Sequence, residues 1–222
     1  MMQKRKLIIG AYDTATTWPW TLSELALTAP EQQTNYVQVP GRSGALDLST
    51  AATDGIPVYN DRTLTATLET SEGNREERES AIKEMVNLLD GFRWKIVLPD
   101  SPDRYLDGRV SVGCNYSDLA HASVTITAVC YPYFLKMAET EVTASLTTAN
   151  TALTLACDRR PVVPTITVSA ETVLTWGTSS YTISAGSRRI PGIRLTQGVH
   201  TLNARTTAGT GTIAVSYQEG SL

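Results

Sequence analysis

The chain contains 222 residues with a mass of 24.0 kDa, enough for one large β domain or two smaller ones. Hydrophobic residues make up 41% and charged residues 18% of it, a balance typical of globular proteins. The formal net charge of −3 argues against a nucleic-acid-binding surface, which usually shows a basic excess. No segment approaches the ~20 apolar residues of a membrane-spanning helix. We therefore expect a soluble protein that contacts no nucleic acid and inserts into no membrane.

The N-terminus and the cysteines both indicate folding in a cytosol. The apolar run at residues 7–9 is shorter than the ~7–15 residues of a secretory signal, so we expect a first strand there. Cys114, Cys130 and Cys157 form no C-x-x-C pair. Their odd number and wide spacing favour reduced, mostly buried thiols over a disulfide framework or a zinc site.

A loop-like segment follows the first strand and carries the sequence Trp18-Pro19-Trp20. Two tryptophans beside a proline often dock against another surface, either the edge of their own domain or a neighbouring subunit. We therefore predict Trp18 and Trp20 as candidate subunit or partner contacts.

Residues 1–138 are predicted to form strands around one helix. Residues 64–68 and 124–128 alternate apolar and polar side chains, the period of a half-buried strand. Residues 94–98 are more apolar, which predicts a strand covered on both sides. Residues 105–112 contain an Asp-Gly pair between strand-forming residues, which predicts a hairpin.

The helix is predicted over residues 74–90. Asn74 and Glu77 have the spacing of a capping box, and Gly91 is placed to end the helix in a left-handed conformation. Apolar residues recur three and four positions apart, which puts them on one face. They are Ile82, Met85, Val86 and Leu89.

Composition changes near residue 138, which indicates a domain join there. Thirteen Lys/Arg and 17 Asp/Glu precede that point, whereas 6 and 5 follow it, and threonine, serine, alanine and valine become dominant. Short alternating segments with Gly- and Ser-containing turns fill residues 139–222. Such spacing indicates a β-sandwich or jelly roll.

No constellation of residues indicates an enzyme, a metal site or a cofactor site. The two histidines, His121 and His200, stand in no recognisable motif, and neither a G-x-S-x-G elbow nor a phosphate-binding glycine loop occurs. The aspartates at residues 90, 100, 103 and 107 lack the EF-hand spacing and are interpreted as turn-forming residues. The acceptor pattern at residues 115–117 is attributed to chance, since no secretory signal accompanies it.

Aromatic residues of the second half leave one alternative open. Carbohydrate-binding sandwiches stack sugars on exposed rings, and Trp176, Tyr181 and Tyr217 are the candidates here. Core packing competes with that interpretation, because the second half contains no phenylalanine to fill a sandwich interior.

A series of short motifs covers nearly the whole chain. The first-domain motifs are G-x-x-G-x-L-D-L (41–48), D-G-x-P-x-Y-x-x-R (54–62), L-L-D-G (88–91) and D-R-Y-L-D-G-R-V (103–110). The C-terminal part contains, in order, P-T-I-T-V (164–168), I-R-L (193–195) and the final V-S-Y-Q-E-G-S-L. In this order the motifs resemble the distal tail proteins of long-tailed phages, with the motif at residues 103–110 one residue tighter than the family pattern.

The resemblance implies a mainly β protein of two domains. Residues 1–138 are expected to form a split β-barrel-like domain with one helix that assembles into a hexameric ring, and residues 139–222 a galectin-like β-sandwich for docking. The chain would then be a virion protein, made in the host cytoplasm, at the distal end of a long non-contractile tail.

The implied partners are other copies of the chain, in one ring or two stacked rings, and the tail tube, tail-tip hub and receptor-binding proteins of the same phage. Arg42, Tyr59 and Arg62 lie in the motifs that carry the resemblance and are predicted as further subunit or partner contacts. No reaction and no cofactor are expected. The alternative function is a carbohydrate-binding sandwich that aids host adsorption.

Overall fold

The computed structural model describes residues 5–18, 20–115 and 122–222. Contacts along the chain divide it into two compact units, Met1–Phe134 and Leu135–Leu222. This division falls close to the join predicted after residue 138. Strands dominate both units, so the mainly β fold class is confirmed.

The first unit contains strands β1 to β9. Their bounds are β1 (Ile8–Ile9), β2 (Tyr12–Asp13), β3 (Thr21–Leu27), β4 (Tyr36–Val37), β5 (Leu46–Asp47), β6 (Arg62–Thr70), β7 (Arg93–Val97), β8 (Arg104–Asn115) and β9 (Ala122–Cys130). Seven of them pair antiparallel in the order β2-β1-β7-β8-β9-β6-β3. Within the described residues this series is open, with β2 and β3 at its ends.

Strands β6 and β9 lie side by side and show the alternation that the sequence predicted. Every second residue of each strand is buried, and these side chains form the core of the unit. Leu64, Leu68 and Ile126 in this core are fully buried. The half-buried strands predicted at residues 64–68 and 124–128 are therefore confirmed.

The predicted helix is present as α2 (Arg75–Leu89) and has both hydrogen bonds of the capping box. Ile82, Met85 and Leu89 are buried in the same core, and Val86 packs against it. With 15 residues, it is the longest helix in the described ranges, and none of the helices there is long and apolar enough to cross a membrane. A four-residue helix, α1 (Thr14–Thr17), precedes it and is too short for the sequence to show any period.

Two strand predictions in this unit were wrong in detail. β7 is covered on one side only, because Ile96 is fully buried whereas Arg93 and Lys95 are exposed. The hairpin predicted at the Asp-Gly pair does not form, since β8 continues through it for 12 residues. Gly108 instead allows close packing: a β-carbon there would lie 2.5 Å from the Cys130 Sγ atom and 3.1 Å from the Val129 carbonyl oxygen.

This packing predicts that Gly108→Ala destabilises the first unit by about 1–3 kcal/mol, the usual effect of overfilling a packed site. Gly113→Ala is the matched control, because a β-carbon at that position of the same strand would meet the Thr125 carbonyl oxygen at an ordinary 3.6 Å. Urea unfolding of both variants measures the difference. Equal stabilities would show that the close approach at Gly108 is wrong.

Strands β10 to β19 follow; β10 begins at Phe134, the last residue of the first unit, and the other nine strands lie in the second unit. Their bounds are β10 (Phe134–Lys136), β11 (Thr140–Leu146), β12 (Thr151–Cys157), β13 (Thr165–Val168), β14 (Thr172–Trp176), β15 (Ser179–Ile183), β16 (Gly186–Arg189), β17 (Gly198–Thr206), β18 (Gly211–Tyr217) and β19 (Gly220–Ser221). Two four-stranded antiparallel sheets have the orders β11-β18-β13-β16 and β12-β17-β14-β15. Buried residues of both sheets form one core, so the predicted β-sandwich is confirmed, and its likeness to galectins stays a prediction.

A buried carboxylate joins the two ends of the sandwich sequence. Glu219 is 5% exposed, accepts a 2.7 Å hydrogen bond from the Lys136 ammonium and accepts another from the Thr140 hydroxyl. Burial alone raises the pKa of the Glu219 carboxyl, but these partners outweigh it, and the pKa lies below its ordinary value of 4.5.

Because this pKa is lowered on folding, the Glu219 carboxylate stabilises the sandwich above pH 4.5 and loses that effect as pH falls through the lowered value. We expect Glu219→Gln to be about 1–3 kcal/mol less stable at pH 7 and to lose less stability than the parent between pH 7 and pH 3. Urea unfolding at both pH values checks this. A variant that loses as much stability on acidification as the parent would contradict the assignment.

Candidate assembly surface

Residues 28–61 form an arm that lies outside the sheet of the first unit. They connect β3 to β6 and include the paired strands β4 and β5. Backbone hydrogen bonds of 2.8 Å, from Gln33 to Val58 and from Asn60 to Glu31, hold the two legs of the arm side by side. No arm residue belongs to the hydrophobic core found among the described residues. The arm is therefore held together by its own backbone pairing.

The arm exposes five large apolar side chains. Tyr36 is 60% exposed, and four aliphatic residues are 37–40% exposed. Isolated exposed apolar residues are common on protein surfaces, but a cluster on one segment is typical of an interaction site. The aliphatic residues are Val37, Val39, Leu48 and Val58.

A turn framed by two glycines forms the tip of the arm. Gly41 and Gly44 have φ angles of 80° and 78°, a left-handed conformation that glycine adopts at little cost. Arg42 between them is exposed, and no hydrogen bond or ion pair of its side chain occurs within the described parts of the chain. It is also the only lysine or arginine in residues 28–61. Its role as a contact stays a prediction.

Arg62 anchors the base of the arm, and its burial corrects the prediction of a partner contact. It is 7% exposed and donates hydrogen bonds to the carbonyl oxygens of Thr28 (3.0 Å) and Pro132 (3.3 Å). Its guanidinium carbon lies 5.0 Å from the centre of the Phe134 ring. Burial lowers the pKa of the guanidinium.

Tyr59 also lies at the base, where its half-buried ring meets the Tyr133 ring edge-on at 6.0 Å. Its contact with a partner stays a prediction.

Trp18 and Trp20 are core residues, which corrects their prediction as partner contacts. Each is 2% exposed. The Trp18 ring stacks on Tyr12 at 5.6 Å between centres, and its indole N–H donates a 3.1 Å hydrogen bond to Glu84 of α2. The two tryptophans dock against their own domain, which was one of the two interpretations of the sequence.

None of the three candidate aromatic residues of the sandwich is fully exposed. Tyr217 is 3% exposed and donates a 2.6 Å hydrogen bond from its hydroxyl to the Ala156 carbonyl oxygen, so its prediction as a sugar-binding residue is wrong. Trp176 and Tyr181 are half-buried and pack against the sandwich core. The Trp176 ring also lies 5.5 Å from the His200 ring.

The two buried cysteine thiols are held in inert settings. Burial raises the pKa of the Cys130 thiol to about 12 and that of the Cys157 thiol to about 11, so both stay protonated at neutral pH. Cys114 is exposed, and all three cysteines are free. His200 contacts the Thr196 carbonyl oxygen at 2.8 Å, whereas His121 and residues 116–117 of the acceptor pattern lie outside the described residues.

Two of the aspartates interpreted as turn-forming residues, Asp90 and Asp107, have partners within the first unit. Asp107 pairs with Arg93 at 2.9 Å, and Asp90 accepts a 2.9 Å hydrogen bond from the backbone of Val112. No group of three or more potential metal ligands occurs within residues 5–18, 20–115 and 122–222. The candidate site is the exposed apolar surface of the arm.

The sequence motifs identified part of this surface, but they did not show that it forms an arm. The motifs at residues 41–48 and 54–62 were singled out, but nothing in them predicted an arm. The available signal was the lack of any helix or strand period between residues 28 and 61, together with apolar residues that no predicted core would use.

Comparisons with known proteins point to one fold. No family model matches the chain, and no curated protein matches it by sequence. Among solved structures it is similar to the SPP1 Dit protein (gp 19.1), described as a paradigm of the hub adsorption apparatus in phages that infect Gram-positive bacteria. The match has a TM-score of 0.69 and 16% sequence identity, and it covers 97% of this chain and 99% of that one. The chain therefore has the fold of a phage distal tail protein along nearly its whole length, as the resemblance predicted.

Proposed function

We propose that the chain is a structural virion protein that forms a hexameric ring at the distal end of a long non-contractile phage tail. The ring joins the tail tube to the host-adsorption apparatus. The fold shared with SPP1 Dit over 97% of the chain is the observation that carries this proposal. The protein acts through its surfaces and performs no reaction.

The arm supports the ring, because a closed ring needs two different surfaces on each subunit. In a cyclic assembly one face of a subunit contacts a different face of the next. The arm offers one such face, with apolar side chains that its own unit does not cover. Edge strands β2 and β3 offer further unpaired backbone groups, within the described part of the sheet, that a neighbour can cover.

The two units divide the work in this proposal. The first unit, which carries the arm, forms the ring and continues the tail tube. The sandwich docks the tail-tip hub and receptor-binding proteins of the same phage. We prefer docking to sugar binding as its role, because Tyr217 is buried and the Trp176 and Tyr181 rings are half-buried against the sandwich core.

Mass in solution tests the ring. One ring has six times the 24.0 kDa mass of the chain, and two stacked rings have twelve times that mass. Light scattering after size exclusion, over a hundredfold range of micromolar concentrations, should show one of these two multiples. A particle with the mass of a single chain throughout that range would contradict the proposal.

A further inference from the structure

The sandwich sheet with the order β11-β18-β13-β16 has two free edges. Among the described residues, β11 pairs only with β18 and β16 pairs only with β13. All four residues of β16 are exposed, and so is every second residue of β11 from Glu141 to Ser145. An edge strand leaves backbone N–H and C=O groups unpaired, so a strand of another chain can pair with it.

The two edges carry opposite charge. Residues 186–194 contain β16 and the turn after it, and they include three arginines but no acidic residue. Residues 137–157 contain β11, and they include two glutamates but no lysine or arginine. All five charged side chains are exposed, and none forms an ion pair within the described ranges. The arginines are Arg188, Arg189 and Arg194, and the glutamates are Glu139 and Glu141.

Cross-strand pairing places one charge of each edge in the same row of side chains. This row runs from Glu141 on β11 through β18 and β13 to Arg189 on β16, and the next row on the same face runs from Thr143 to Ser187. Within one chain the two charges lie three strand spacings apart, roughly 14 Å at about 4.8 Å per spacing. Arg189 Nη2 donates a 3.0 Å hydrogen bond to the Val163 carbonyl oxygen, and a guanidinium has further N–H groups that can bind a carboxylate.

The strand directions allow a second copy to continue this sheet. Neighbouring strands are antiparallel throughout, so the first and last of the four strands run in opposite directions. A second copy in the same orientation therefore brings its β11 antiparallel to β16. When the existing rows are continued, Arg189 meets the neighbour's Glu141, and Ser187 meets the neighbour's Thr143.

The charges disfavour the pairing of like edges. Two β16 strands would bring the arginines of both copies together, and two β11 strands would bring the glutamates together. Like charges that face each other across strands are destabilising, whereas opposite charges are favourable. The charges therefore select a head-to-tail contact between β16 and β11. Such a contact uses a different surface on each copy, as a closed ring requires.

We infer that β16 of one sandwich pairs with β11 of the neighbouring copy, and that Arg189 faces Glu141 across this contact. The inference rests on the proposed function, because a pairing of four residues is too short to hold two copies together by itself. Within the ring the copies are held close to each other, so a weak contact forms. The contact links the sandwiches and leaves their remaining surfaces for docking.

Disulfide trapping tests this contact in the full chain. The background variant is Cys114→Ser, which removes the exposed thiol. Ser187→Cys and Thr143→Cys then place thiols at the two ends of one row, on β16 and on β11. Mild oxidation of the assembled protein should link most copies into species of up to six chains.

Thr154→Cys is the matched control for Thr143→Cys. Both positions are exposed threonines in the middle of a seven-residue edge strand, but Thr154 lies on β12 of the other sheet. Together with Ser187→Cys it should give few linked species. Equal linking through Thr143→Cys and Thr154→Cys would overturn the inference. Linking through Ser187→Cys alone would also overturn it, because β16 would then pair with β16.

Charge reversal tests the residue pair. Arg189→Glu or Glu141→Arg, added to the protein with Ser187→Cys and Thr143→Cys, should reduce the linked fraction roughly fivefold, because like charges then face each other. Both reversals together should restore linking. Since the two residues lie on opposite edges of one chain, this rescue arises between copies. A double reversal that links as poorly as the single ones would overturn the pairing of Arg189 with Glu141.

Mass measured in parallel separates the two levels of the proposal. Six-copy rings that do not link through Ser187→Cys and Thr143→Cys would overturn the contact and leave the proposed function standing. The β16 edge would then be open to a strand of a different tail protein. A protein that keeps the mass of a single chain and forms no links would overturn both.

Discussion

Removing the tip of the arm is expected to convert the assembly into monomers without unfolding the protein. In the deletion variant, two glycines replace residues 36–48 and join Asn35 to Ser49. These two residues are close in the arm, as the 2.9 Å hydrogen bond from the backbone N–H of Asn35 to the Ser49 hydroxyl shows. No core residue is lost, so the melting temperature should change little. The mass in solution should fall about sixfold, from that of a ring to that of a single chain.

Single substitutions provide matched controls for this deletion. Tyr36→Ser removes an exposed ring from the arm and should weaken assembly, whereas Val199→Ser removes an apolar residue that is 71% exposed on the sandwich and should not. Light scattering over a dilution series compares the three proteins. A ring that survives the deletion would show that the arm is not the subunit contact.

The buried face of α2 is expected to be sensitive to truncation of its side chains. Leu89 is fully buried in the core, and replacing such a leucine by alanine costs about 2–5 kcal/mol, because apolar contact is lost and a cavity remains. Leu89→Ala should therefore lower the melting temperature of the first unit by many degrees. Calorimetry of the full chain measures it.

Lys83→Ala is the control, since Lys83 is exposed on the same helix and alanine favours helices. It should leave the transition almost unchanged. A Leu89→Ala protein that melts like the parent would mean that the helix does not pack on the sheet through this face.

Local patterns in the sequence were sufficient for the elements that depend on them. Helix α2 has a capping box and an apolar period within its own residues, and both are present in the structure. The alternation in β6 and β9 likewise encodes which face is buried. Each of these signals lies within one short segment, so it can be read without knowing the fold.

Features that depend on distant partners could not be read in this way. Arg62 looked like a surface residue, and its burial is made possible by acceptors and a ring from residues 28, 132 and 134. The Asp-Gly pair looked like a turn. Gly108 instead leaves room for the Cys130 side chain on the next strand, which the local sequence does not show. Trp18 and Trp20 were predicted to dock, but their sequence could not show that the docking surface is their own domain.

The assembly surface was the hardest part to predict. Its residues contribute nothing to the core of the first unit, so they follow neither the helical nor the strand period. Only the exposure of Tyr36 and its neighbours in the folded chain distinguishes them from core residues.

Electron microscopy of the purified full chain tests the central claim most directly. Class averages of negatively stained particles should show rings with six-fold rotational symmetry and an open centre, and the arm-deleted protein should show none. Small single-copy particles from the unmodified chain at the same concentration would contradict the account.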